Sequence, residues 1–326
     1  MSKASIRIEQ LTLPTYPEPP KEEMPLFAEH RVHQRSTGRP YPNKAVLEVN
    51  RSFREEKSYT IVHLENEYLD VLVLPEIGGR IFAARDKTTD YDFFYRQHVI
   101  KPSLIGALGS WISGGVEFNW PYHHRPSGFL PCDFETEECA DGSVICWLSE
   151  HDPIDRMKGT VGVVLRPGVA YLETRMRLCN RTPVTRSFLW WENAAVPVNE
   201  HYQIFFPKDV TYVNFHYLDS RASYPVAGDC TFNGIDMRTP RDISWHKNTQ
   251  DATSYFACAS KYDFFGGYDH GFDCGVVHIG DHHISPGKKM FTWAYNQLAK
   301  TWENTLTDTD GQYAELMAGS YTDNQP

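Results

Sequence analysis

From Ala45 onward, short runs of β-branched, aromatic and aliphatic residues alternate with polar ones and are cut by Gly, Pro, Asn and Asp. Period-two alternation of this kind predicts half-buried strands. The runs are Ala45–Val49, Tyr59–Leu64, Tyr68–Leu74, Val144–Ser149, Thr160–Leu165, Val169–Leu178, Thr185–Trp191, Gly275–His278, Lys289–Tyr295 and Tyr313–Ala318. Only Val99–Leu108 and Leu298–Asn304 suggest helix, and neither holds a helical period for long. So many strands without alternating helices exclude a doubly wound nucleotide-binding fold and predict a large antiparallel all-β sandwich. Before this texture begins, residues 1–43 read as a proline-rich N-terminal arm, with Pro14, Pro17, Pro19, Pro20 and Pro42 against regular structure. Residues 44–326 then read as one β-sandwich domain. The stop at Pro326, soon after the Tyr313–Ala318 strand, reads as a chain lacking its last strands or trimmed from a longer protein.

Composition narrows the function classes. The 326 residues carry a formal charge of −10, with 32 Lys and Arg against 42 Asp and Glu, which argues against a nucleic-acid partner. No apolar run is long enough for a membrane span. Seven cysteines form no CxxC pair, and the N-terminus lacks the apolar core of a secretory signal, so a cytoplasmic location is expected. Aromatic residues make up 13% of the chain, a supply equally suited to a β core and to platforms for sugar rings.

Four stretches carry candidate chemistry. In Ser113–Arg125, alternation puts Val116, Phe118 and Trp120 on one strand face and Glu117 and Asn119 on the other, followed by His123, His124 and Arg125. The competing reading is a solvated strand end. In Tyr313–Ala318, Ala314, Leu316 and Ala318 take the core face, leaving Glu315 among Tyr313 and Met317, where desolvation would raise its pKa toward that of a general base. Around Trp190 and Trp191, an aromatic plane beside Glu192 and Asn193 suits a pyranose, or equally a core strand with one paired acid. Between Val277 and Lys289, Ser285-Pro-Gly marks a turn and His278 is the candidate cleft histidine; no recognised metal spacing is present, and no metal or cofactor is expected. Arg80, after Gly78-Gly79, is placed to reach a ligand.

The stretches Leu74–Ile81, Gly114–Pro121 with His123-His124-Arg125, His278–Lys289 and Tyr313–Pro326 resemble an uncharacterised bacterial domain family. That family is similar to the aldose 1-epimerases (galactose mutarotases) and is often found ahead of tetratricopeptide repeats. The resemblance implies a galactose mutarotase-like β-supersandwich and a small-molecule carbohydrate as partner, with a tetratricopeptide-repeat region in a longer parent chain. It also implies Glu315 as general base at the anomeric hydroxyl, Arg80 or Arg125 as the sugar-holding arginine, and His123 or His124 as an early histidine holding hydroxyls. Glu117, Asn119, Trp120, Trp191 and Lys289 complete the expected binding set. One departure is plain: where mutarotases begin a strand with histidine-proline-aromatic, this chain reads Trp190-Trp-Glu-Asn. The acid would then come from His124, His278 or Glu192. Glu192 paired with Glu315 would instead suit a glycoside hydrolase or lyase, with roughly 5–5.5 Å between the carboxylates for retention or roughly 6.5–9.5 Å for inversion. A carbohydrate-binding module without catalysis is the third reading.

Overall fold

A computed structural model describes residues 3–20, 48–104, 110–121, 124–125, 127–152, 156–215, 220–228, 231–232, 235–236, 238–250, 252–257 and 259–322. His123, most of the proline-rich stretch and the last four residues lie outside this set. The chain divides into two compact units, Met1–Phe188 and Leu189–Pro326.

Unit 1 contains β1 (Ser5–Thr15), β2 (Glu55–Glu65), β3 (Leu69–Leu74), β4 (Arg80–Asp86), β5 (Tyr91–Asp92), β6 (Val116–Asn119), β7 (Asp133–Glu138), β8 (Val144–His151), β9 (Met157–Leu165) and β10 (Leu172–Asn180). Antiparallel pairing runs β1-β2-β3-β4-β6 in one sheet, with β5 on β4, and β10-β9-β8-β7 in a second. Part of the expected arm is thus a strand, since β1 pairs with β2 along all eleven residues. Pro14 fits there because its carbonyl accepts from the Ile100 N–H at 2.9 Å, so the edge it presents faces away from β2 and its missing N–H breaks no β1–β2 bond. Leu13, Tyr59, Ile61, Leu74, Phe82 and Ile112 form the core under this sheet. The helix expected over Val99–Leu108 is absent from its described part, where Ile100 and Ser103 form isolated bridges to Thr15 and Trp111.

Unit 2 contains β11 (Trp191–Pro197), β12 (Tyr202–Phe205), β13 (Tyr212–Asn214), β14 (Arg221–Ser223), β15 (Val226–Ala227), β16 (Thr231–Phe232), β17 (Ile235–Asp236), β18 (Arg241–Asp242), β19 (Thr253–Ala257), β20 (Phe264–Asp269), β21 (Cys274–Ile279), β22 (Gly287–Thr292), α1 (Gln297–Leu306) and β23 (Tyr313–Gly319). Its main sheet runs β11-β23-β22-β19-β13-β14, and β12-β20-β21 form another. The strand predicted at Thr185–Trp191 starts only at Trp191. The helix predicted at Leu298–Asn304 is α1, whose N-cap Asn296 accepts the Ala299 N–H at 2.9 Å. Ala314, Leu316 and Ala318 point into a core with Val196, Tyr202, Phe215, Tyr255 and Phe265, as alternation predicted. No helix among the described residues is long and apolar enough to cross a membrane.

Two histidines of unit 2 make acid costly. His246 is fully buried, and burial, partly offset by Gln312, pulls its pKa from the ordinary 6.5 down to about 4. His278, half-buried, is lowered to about 4 by burial and by Lys288. Both are neutral when folded but take up protons when unfolded, so stability is complete above pH 6.5 and is lost as pH falls toward 4. His246 alone accounts for on the order of 3 kcal/mol at the acid end of that window. Melting temperatures measured from pH 7.5 to 4.5 are expected to fall steeply for the wild type and less steeply for His246→Asn. Parallel curves would refute the assignment.

Candidate functional site

In unit 1 the polar face of β6 is buried rather than solvated, with Glu117 and Asn119 both inside. Gly115, at φ +64°, makes the entry to the strand possible, because a Cβ there would stand 1.9 Å from the Ile81 carbonyl oxygen. The Glu117 carboxylate accepts the Trp111 indole N–H at 3.1 Å and faces His124 Nδ1 at 3.2 Å. Burial pushes its pKa up, but the charges of His124 and Arg80 and the hydrogen bonds from His124 and Asn119 outweigh this and hold it well below the usual carboxylate range. Glu117 is therefore an ionised buried carboxylate. It fixes the His124 ring by Nδ1, which directs proton exchange with any ligand to Nε2. The Trp111 ring adds an edge contact, its centroid 5.8 Å from that of His124.

The two arginines of this cluster are tied into the scaffold. Arg80 donates from one guanidinium nitrogen to the Ile112 and Gly114 carbonyls, both at 3.0 Å, and so staples the segment that leads into β6. Arg125 donates its peptide N–H to Asn119 Oδ1 at 2.8 Å, its guanidinium to the Gly78 carbonyl, and approaches Glu150 at 3.5 Å. Trp120 departs from expectation. It is buried over Gly159, where a Cβ would come within 2.4 Å of the indole, so its ring packs on β9 and offers no face to a sugar.

In unit 2 the pairing register sorts the remaining candidates. Residues directly opposite in antiparallel strands share a face. Glu315 lies opposite Ala195 on β11 and Phe291 on β22, while Met317 lies opposite Asn193 and Lys289. Lys289 and Phe291 in turn face Phe256 and Ser254 on β19. Glu315, Asn193, Trp191, Lys289, Ser254 and Phe256 thus share one face, and all six are buried. The Trp191 indole lies flat across a glycine row, since a Cβ on Gly319 would come within 2.3 Å of it and one on Gly287 within 2.8 Å. Lys289 Nζ sits 4.8 Å from the Phe256 ring centre and 5.9 Å from that of Trp191. The buried Trp191 Nε1 and Ser254 Oγ have no hydrogen-bond partner among the described residues.

The same register corrects two expectations. Glu192 lies opposite Ala318, on the other face of the sheet from Glu315, so the two carboxylates do not form a glycosidase pair. His278 lies opposite Phe265, 5.6 Å away between ring centres, and Phe265 packs with Ala314, Leu316 and Ala318. It too is across β23 from Glu315. Sequence reasoning missed Trp111 and Ser254. Trp111 is six residues from its carboxylate in a loop without periodicity, and Ser254 joins the group only through strand pairing.

The family described as Domain of unknown function (DUF5107) matches residues 39–326. The chain belongs to this family. Among solved structures, this DUF5107 chain is similar to a TPR-domain containing protein from Parabacteroides distasonis, with a TM-score of 0.82 and 20% identity. The match covers 98% of this chain and 52% of that one, so the chain spans about half of its length. It is also similar to a putative aldose 1-epimerase from Klebsiella pneumoniae (TM-score 0.52, 11% identity, 81% of this chain and 72% of that one). A second putative aldose 1-epimerase, from Escherichia coli K12, matches with a TM-score of 0.53 and 9% identity over 80% of this chain and 88% of that one. The DUF5107 chain therefore has a galactose mutarotase-like fold, as its strand texture and motifs predicted.

Proposed function

We propose that this DUF5107 chain binds a carbohydrate and acts at or near its anomeric carbon, in the manner of an aldose 1-epimerase, with Glu315 as general base. The observation that carries the reading is the buried face of unit 2, where Glu315 shares a sheet surface with Lys289 and with Trp191 Nε1 and Ser254 Oγ, which have no hydrogen-bond partner among the described residues. A carboxylate among buried donors suits a polyhydroxylated ligand, whose hydroxyls satisfy both kinds of group. Glu315 removes the anomeric hydroxyl proton, the bond from C1 to the ring oxygen breaks, and an acid protonates that oxygen; reclosure on the other face of the carbonyl gives the other anomer. A tetratricopeptide-repeat region in a longer parent chain and a cytoplasmic setting belong to the same proposal, supported by the Parabacteroides likeness and by the five free thiols among the described cysteines. Magnetisation exchange between α and β anomeric protons across a panel of aldoses tests it, and no acceleration with any sugar overturns it.

One observation favours binding without turnover. The outer face of β7–β10 holds a groove of about 590 Å³ lined by Asp133, Glu135, Trp147, Lys158, Arg175 and Arg177, among others. Trp147 lies over Gly162, where a Cβ would come within 2.6 Å of the ring, and its indole N–H donates to Glu137 at 2.7 Å. A ring laid flat beside charged side chains suits the C–H face of a sugar ring with its hydroxyls on the polar groups. On this reading Trp147→Ala reduces oligosaccharide affinity at least tenfold in calorimetry while Glu315→Gln leaves it intact. The reverse pattern refutes it.

A further inference from the structure

The turn after β21 brings together groups that the proposed sugar chemistry does not use. Gly280 donates its N–H to the Asp263 carbonyl, and the Asp281 carbonyl accepts from Ile284 and Ser285 at 3.0 and 2.8 Å, closing a compact turn. Within it, Asp263 Oδ1 accepts the His282 peptide N–H at 3.0 Å and stands 2.8 Å from His282 Nδ1. Asp281 Oδ1 repeats the arrangement on His283, with both the peptide nitrogen and Nδ1 at 2.9 Å. The two imidazole centres are 3.9 Å apart, and one ligand atom each of Asp281, His282 and His283 falls within 4.8 Å of the others.

Each carboxylate accepts a backbone N–H and faces the Nδ1 of the same histidine, so each ring is held from behind by its own carboxylate. An ionised acceptor at Nδ1 holds the proton there and places the lone pair on Nε2. This is the carboxylate–histidine arrangement that makes imidazole a strong metal donor. Two such rings side by side, with negative charge behind each, match the preference of zinc, copper and nickel for nitrogen rather than the all-oxygen shells of calcium and magnesium. The groups are also reachable, with His283 largely exposed and His282 partly so.

We propose that His282 and His283, oriented by Asp263 and Asp281, form a surface site for a divalent transition-metal ion, with the remaining coordination positions open to water or to a ligand from another molecule. The ligand spacing gave no sign of it, because the donors are an adjacent pair and one orienting carboxylate lies 19 residues away in sequence. Zinc chloride titrated calorimetrically into untagged, chelator-treated full chain tests the proposal. One equivalent is expected to bind saturably, with affinity at least tenfold lower in His282→Ala and in His283→Ala and absent in the double variant. Asp263→Asn is expected to weaken binding about tenfold with both imidazoles still present. Circular dichroism melts identify any variant that fails to fold, and His283→Gln, at the most exposed position, provides a substitution with little structural consequence. No saturable zinc binding by the wild type, or equal binding by the double variant, overturns the proposal.

Discussion

Glu117→Ala is expected to destabilise unit 1 by about 3–5 kcal/mol, the range typical of removing one partner from a buried charged network. The carboxylate is buried with the Trp111 indole N–H and the His124 ring as partners, and the buried Arg80 guanidinium contributes to its low pKa. Removing it leaves the indole N–H without its acceptor and a buried cation without its counter-charge, each costly in a low-dielectric interior. Glu117→Gln is expected to cost less, since an amide oxygen still accepts from Trp111. His124→Ala should cost least, near 1 kcal/mol, because that ring is partly exposed and holds one end of the network. The order of thermal midpoints decides the matter: wild type, His124→Ala, Glu117→Gln, Glu117→Ala from highest to lowest. A Glu117→Ala midpoint within a degree of wild type would show that the carboxylate is not paired as described. The depressed pKa carries its own sign. The stabilisation by Glu117 is present above the ordinary carboxylate value of 4.5 and is lost as pH falls below it.

The second large effect concerns Glu315. Replacement by Gln keeps the size of the side chain and its place opposite Ala195 and Phe291 but removes the proposed base, so anomer interconversion is expected to fall by about 10²–10⁴-fold. The stability cost should be small beside that of Glu117→Ala, because the amide retains hydrogen-bonding capacity. Lys289→Met separates binding from chemistry. Lys289 lies two residues from Phe291 along β22, on the face of Glu315, so its loss is expected to raise KM more than it lowers kcat. A Glu315→Gln protein with wild-type turnover would remove Glu315 from the reaction whatever the sugar.

Strand faces were legible in the sequence wherever alternation is local. The placing of Ala314, Leu316 and Ala318 in the core, and of Glu315 on the reverse, follows from a period of two and needs no partner strand. The split of β6 into an apolar and a polar face follows likewise, although the burial of its polar face does not, because what covers Glu117 comes from Trp111, His124 and Arg80 in other segments. Relations between strands were not legible. Nothing local fixes that Glu192 pairs with Ala318 rather than with a neighbour, yet a one-residue slip would have put it on the face of Glu315. The fate of Trp120 depends on Gly159, 39 residues further on, and that of Trp191 on Gly319 and Gly287. Proline punctuation misled at β1, where Pro14 reads as an end of regular structure but presents its backbone edge away from β2.

The central claim is that the chain interconverts sugar anomers through Glu315. Optical rotation of freshly dissolved α-galactose or α-glucose, followed in weak buffer with wild-type and Glu315→Gln protein side by side, tests it most directly. The account predicts that the wild type speeds the decay to the equilibrium rotation and that Glu315→Gln returns it to the rate of buffer alone. Decay at the buffer rate with the wild type, or equal acceleration by both proteins, would contradict it.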